Sequence, residues 1–204
     1  NPAVPILLRY IDKSGETVKG NICMVLGRIG ALDAIPAIGG LFGDSSIYVR
    51  YMAKEGLRTL AHANGGACIG DVISFLRDRL KDPDENVRSL SVEVLVDLNP
   101  VDFWEDLLPL LGDSNWKVRA DAVKALGGIS TLTNPEQHTT ICNALAPLFS
   151  DSSWEVKRSV AIAAGFYIAR STMYVMVNED EQGNFTGLKP SENLPVLEIG
   201  RAHV

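Results

Sequence analysis

Three histidines, three cysteines and a recurring Val-Arg or Val-Lys pair are the residues from which chemistry could be built in this sequence. A disulfide framework or zinc site needs thiols in close pairs or beside histidines. Cys23, Cys68 and Cys142 are odd in number, widely spaced and without a CxxC pair or a flanking His. They read as small core residues in a reducing, intracellular compartment, and no metal is assigned. Histidine can act as base or ligand. Here His62 and His138 fall in what read as loops between repeated segments, and His203 lies among the last seven residues. No GxxxxGK[ST] cradle, GxGxxG turn, HExxH helix or GxSxG elbow occurs. The expectation is a protein that is not an enzyme and carries no cofactor.

What does recur is opposite charge at fixed spacing. Val18-Lys19, Val49-Arg50, Val87-Arg88, Val118-Arg119 and Val156-Lys157 follow one another at intervals of 31, 38, 31 and 38 residues. Each anchor Val stands five or six residues after an Asp: Asp12, Asp44, Asp82, Asp113 or Asp151. The echo is plainest between DSNWKVRADAVKAL, residues 113–126, and DSSWEVKRSVAIAA, residues 151–164. A basic column could bind an acidic partner. The stronger reading is a structural ladder in which each base lies near the turn Asp of its own or the adjacent repeat and makes charge-assisted hydrogen bonds to carboxylate and turn amides, with Asp44, Asp82, Asp113 and Asp151 and Arg50, Arg88, Arg119 and Lys157 as its members.

Elements must hold these columns in place. Three residues before each anchor Val stand Gly15, Ser46, Asp84, Asn115 and Ser153, all favoured helix N-caps. From the Val, positions +4, +7, +8 and +11 give Ile22, Val25, Leu26 and Ile29 in the first copy, and Ala122, Ala125, Leu126 and Ile129 in the fourth. That is the apolar stripe of a helix, not a strand alternation. Apolar residues two and six before each Asp mark a preceding helix, which Pro36, Pro109 and Pro147 should kink or shorten. Seven extra residues enter in AHANGGACIG and STLTNPEQH, both between repeats. The architecture is therefore all-α: an α-α superhelix, or solenoid, of about five antiparallel helix pairs, with repeats near 1–30, 31–63, 64–99, 100–130 and 131–169. Residues 170–197 read as irregular, a hairpin or a loop.

These residues resemble HEAT repeats, in particular the short PBS lyase HEAT-like kind, whose signature is an Asp in the turn and Val-Arg or Val-Lys opening the second helix. The resemblance covers residues 1 to about 169 and implies a protein-interaction scaffold. Among relatives of that type it also admits a phycobilin-lyase-like enzyme or accessory protein, a DNA-repair glycosylase, or a TOG-like tubulin-binding module, whose first repeat NWKVR faintly resembles. The iron-binding His-Glu pairs of deoxyhypusine hydroxylase are absent, since Ala63 and Thr139 follow the two histidines.

Composition narrows the partner. A chain of 204 residues that is 46% hydrophobic is folded and soluble, and a net charge of -6 disfavours nucleic acid, which needs a basic stripe. The apolar run from Val160 to Val177 is broken by Arg170, Ser171 and Thr172, so no membrane span is expected. Trp116 and Trp154, with Ile47 in the same column and Tyr48 beside it, belong on the turn edge, either as contact anchors or lying flat on neighbouring turns. Val92, Val96, Val123 and Ile162 make the wall of the second helices apolar, either as a groove or as surface buried within the solenoid. One patch thus combines Trp116 and Trp154 with Val123, Ile162, Lys124 and Arg158 as the expected binding site for a protein or peptide. Both ends read as cut, so terminal repeats without polar caps are expected to associate. Glu198–Val204, EIGRAHV, matches the reading frame of a sequencing adapter and is set aside.

Overall fold

A helix begins where something satisfies its first free amides, and in this chain the turn aspartates arrange it. The computed structural model describes residues 1–100, 103–129, 135–170, 175–179 and 185–190. In order come α1 (Ala3–Ile11), α2 (Glu16–Ile29), α3 (Ile35–Gly40), α4 (Ile47–His62), α5 (Ile69–Arg79), α6 (Glu85–Leu98), α7 (Phe103–Leu107), α8 (Trp116–Gly128), α9 (Pro135–Leu145) and α10 (Trp154–Arg170). The carboxylates of Asp44, Asp82, Asp113 and Asp151 accept from the backbone N–H groups of Ser46, Asp84, Asn115 and Ser153, at 2.9, 3.0, 2.8 and 2.7 Å. Those four acceptor contacts hold the N-cap residues of α4, α6, α8 and α10. Asp84 and Asn115 then cap in turn, accepting from Asn86 N–H at 2.7 Å and Lys117 N–H at 2.8 Å.

The first helices differ in length: α5 and α9 have eleven residues and α1 nine, but two are much shorter. Six residues form α3 and five form α7, each continued by a 3-10 turn, Leu41–Gly43 and Leu108–Gly112. Pro109 and Pro147 stand at the start of the 3-10 turns Leu108–Gly112 and Ala146–Ser150, where α7 and α9 give out. Pro36 kinks nothing, because it occupies the first turn of α3, where no intrahelical N–H is required. Neither histidine lies in a loop: His62 ends α4 and His138 is inside α9.

The chain divides into two compact units, Asn1–Asp106 and Leu107–Val204. In the first, α2 lies along α4 at close range. A Cβ added to Gly27 would sit 2.5 Å from the carbonyl oxygen of Gly56, so only glycine permits that approach. In the second, α8 lies along α10, with Gly127 against Ala163. Buried side chains such as Phe42, Leu57, Leu60 and Leu95 fill the first unit, and Leu107, Leu126 and Ile141 the second. The anchors Val49, Val87, Val118 and Val156 are all buried. Val25, expected in the core, is exposed, and Cys23 takes the buried place beside Leu26. Val175–Glu179 (β1) and Phe185–Pro190 (β2) pair antiparallel, Val177 opposite Leu188, as a hairpin appended to the helices, with β2 against α9. The rest of 171–197 and the adapter-like Glu198–Val204 lie outside the described residues.

Candidate functional site

The basic column is used within the fold, though not as simple pairs. Arg50 donates to the carbonyls of Asp44 and Ser45 at 2.6 and 3.1 Å, Arg88 to those of Asp82 and Pro83 at 2.7 and 3.0 Å, and Arg119 to those of Asp113 and Ser114 at 2.8 and 3.3 Å. Each of these three arginines thus ties the carbonyls of its own turn. The carboxylate is reached by a base one repeat earlier. Lys19 Nζ lies 2.8 Å from Asp44, and the Arg119 fork meets both oxygens of Asp151 at 2.8 Å. Lys19 holds Asp44 below the usual carboxylate range, and Arg119 does the same for Asp151, each helped by a turn N–H. Asp82 instead takes Arg79 at 3.2 Å. Lys157 is exposed, and its side chain makes no hydrogen bond among the described residues.

The Trp edge stands open. Trp116 is 46% and Trp154 64% exposed, each at the first turn of its helix, and α8 and α10 pack side by side in one unit. Neither indole is enclosed in the core. Arg158 and Ile162 are exposed on α10. Lys124 is exposed on α8 and reaches Asp121 at 3.2 Å. Val123 departs from expectation: it is fully buried and forms no part of a docking floor, and Val92 is buried likewise. The apolar wall at these positions is interior surface.

Residue size at +2, +5 and +9 explains the difference. Gly20, Cys23 and Gly27 on α2, and Ala120, Val123 and Gly127 on α8, are small or compact, and the following helix closes over them. On α4 the same positions carry Tyr51, Lys54 and Arg58, and α6 packs on it far less extensively. Tyr51 stays exposed, Lys54 Nζ lies 5.5 Å from its ring centroid and 3.1 Å from Glu93, and Arg58 pairs with Glu55 at 2.6 Å. Tyr51, Lys54 and Arg58 share one register on the wall of the second helices, and Lys54 bridges α4 to α6 through Glu93.

The thiols of Cys23 and Cys142 are shielded from solvent. Burial pushes Cys23 up to about 12 and Cys142 up to about 11, leaving both protonated at neutral pH. A soluble thiol reagent at mildly alkaline pH is expected to leave these two unmodified in the folded protein and to label them on unfolding. Rapid labelling of either without denaturant would contradict the packing. Among the described residues no three His, Cys, Asp or Glu side chains are placed to share a metal ion, and no helix is long and apolar enough to cross a membrane.

A model of HEAT repeats matches residues 4–95, 40–127 and 104–173. No curated protein matches the sequence significantly. Among solved structures, the complex of CpcE and CpcF of phycocyanin lyase from Nostoc sp. PCC7120 is similar, with a TM-score of 0.55, 20% identity, and coverage of 80% of this chain and 98% of that one. A TOG domain structure of Crescerin, whose array regulates microtubules in the primary cilium, has a TM-score of 0.55 and 19% identity over 95% of this chain and 81% of that one. A designed armadillo repeat protein has a TM-score of 0.51 and 19% identity over 82% and 83%. At these identities the likeness concerns the fold, an all-α helical-repeat solenoid.

Proposed function

The chain belongs to the HEAT-repeat family, and we propose that it is a non-enzymatic interaction module that takes a protein or peptide partner on the Trp-bearing edge of its second unit. The two exposed indoles, held at the first turns of neighbouring helices, carry this reading. Aromatic anchors beside cations and an exposed aliphatic are the composition of a binding hot spot, and Arg158, Lys124 and Ile162 supply the latter two. The backbone that presents them is fixed by Asp113 and Asp151, so little ordering cost falls on binding. Two neighbours support protein recognition on such a frame. The phycocyanin lyase subunits form a complex, and the TOG array acts on microtubules.

Partners captured by the intact chain, and their affinities re-measured with Trp116→Ala combined with Trp154→Ala, test the reading. The double variant is expected to bind about 30-fold more weakly, roughly 2 kcal/mol, with unchanged far-ultraviolet dichroism. Equal affinity would place the site elsewhere. The exposed Tyr51 with Lys54 beside it is then the next surface to examine.

A further inference from the structure

Basic side chains in the last turn of a helix ordinarily bond its free carbonyls. In the first unit that task is already done by the backbone. α2 ends in Gly30, whose left-handed conformation (φ 68°) turns its N–H onto the carbonyls of Leu26 and Gly27, and Ala31 N–H adds a bond to Leu26 at 3.4 Å. At the end of α4 the Ala63 N–H meets the Leu60 carbonyl. Arg28, in the last turn of α2, is exposed, and its side chain makes no hydrogen bond or ion pair among the described residues.

With Arg58, Thr59, His62 and Ala63 it lines a cleft of about 420 Å³ whose walls all belong to the first unit. Arg58 donates from Nε and Nη2 to one oxygen of Glu55, at 3.1 and 2.6 Å, which leaves Nη1 without a bond. His62 Nδ1 lies 2.9 Å from the Arg58 carbonyl. A carbonyl oxygen only accepts, so Nδ1 carries the proton and Nε2 is the nitrogen left for a ligand. The Thr59 hydroxyl donates to the Glu55 carbonyl at 2.7 Å and is used within α4. Asp97 of α6 acts on Arg58 from further away than Glu55, and no carboxylate is among the residues that line the cleft. In a chain of net charge -6, two guanidiniums and an imidazole thus share one concavity with unused donors.

We propose that this cleft binds a phosphate monoester. Guanidinium forks match paired phosphate oxygens, and the three terminal oxygens of the ester can take bonds from α2 and α4 together, whereas a carboxylate is satisfied by one fork. The cleft is larger than a phosphate group, and Thr59 and Ala63 are the walls left for the organic part of the ester.

The test is titration of the full chain at fixed pH with glycerol phosphate, inorganic phosphate and acetate, followed by the ring resonances of His62 and the guanidinium resonance of Arg28. Both reporters are expected to shift and saturate together with glycerol phosphate at an affinity on the order of 1 mM, inorganic phosphate binding more weakly and acetate at least about tenfold more weakly. Arg28→Gln removes an exposed side chain that bonds to nothing, so the fold should persist while His62 reports an affinity for glycerol phosphate about tenfold lower. Arg58→Gln, read the same way, should give a similar loss. Arg9→Gln removes the same charge from the exposed surface of α1, outside the cleft, and should change nothing. Shifts that do not saturate would overturn the proposal, as would inorganic phosphate or acetate binding as tightly as the ester, an affinity that survives Arg28→Gln, or an equal loss in Arg9→Gln. The Trp edge belongs to the second unit and is tested with its own partner, so neither result bears on the other.

Discussion

Replacing Arg119 with alanine is expected to destabilise the protein by about 3 kcal/mol, the cost of leaving a buried charge without its partner. The Arg119 side chain is 13% and that of Asp151 7% exposed, and two parallel hydrogen bonds of 2.8 Å join them. The same guanidinium ties the carbonyls of Asp113 and Ser114, so truncation loosens two successive turns at once. Ser153 N–H would remain as a hydrogen-bond donor to the stranded carboxylate. Arg119→Lys keeps the charge and loses the fork, so its loss should be smaller. Urea titrations of the three proteins measure this, and a loss below about 1 kcal/mol for alanine would mean that the pair is solvated like an ordinary surface bridge.

The pair also fixes the sign of a pH effect. Asp151 and Asp44 are held below the ordinary carboxylate range, chiefly by Arg119 and Lys19, so the folded state binds fewer protons than the unfolded one. Their contribution is complete above the unfolded value of about 3.9 and is lost as pH falls through the depressed folded values. Arg119→Ala should therefore flatten the acid limb of the stability profile while shifting the neutral plateau down.

Local chemistry explains which parts of this fold were legible in the sequence. Ser46, Asp84, Asn115 and Ser153 mark helix starts because a cap works within a few residues of chain, and the structure places α4, α6, α8 and α10 directly after them. The family was legible for the same reason, since its Asp and Val-Arg signature is a turn and a helix start. Side-chain environments that depend on the distance between two helices were not. Val123 and Val92 project onto the outer face of an isolated helix, yet they are buried, and a helical projection contains no term for how closely the next helix approaches. Size at +2, +5 and +9 supplies that term and distinguishes Gly20, Cys23 and Gly27 from Tyr51, Lys54 and Arg58. Val25 failed for a related reason: its counterparts Gly56 and Ala163 are covered by a preceding second helix, and helix period alone cannot say whether a position is covered by another repeat. The Trp residues were undecidable from one helix, because whether an indole at a first turn lies open depends on the neighbouring turn.

That size rule makes the last prediction. Gly127 and Gly128 are adjacent in α8 and should respond to substitution with opposite signs. A Cβ at 127 would meet the Cβ of Ala163 at 2.8 Å and its Cα at 3.0 Å, and neither atom can swing aside as the end of a long side chain could. Gly127→Val must therefore push α10 off α8, uncovering Val123 and Ala120, and should cost about 3 kcal/mol, at the upper end of overpacking penalties. A Cβ at 128 meets nothing within 4 Å, and that residue has no positive φ. Gly128→Ala should accordingly stabilise by about 0.5–1 kcal/mol, because alanine loses less backbone entropy in a helix. Ala163→Gly removes one of the two clashing atoms, so a double-mutant cycle with Gly127→Val should show favourable coupling, part of the loss being recovered. Urea denaturation of the four variants and the parent measures all these terms. Equal and small effects at 127 and 128 would show that the two helices stand further apart than the packing of Gly127 on Ala163 requires, and the size rule would fall with it.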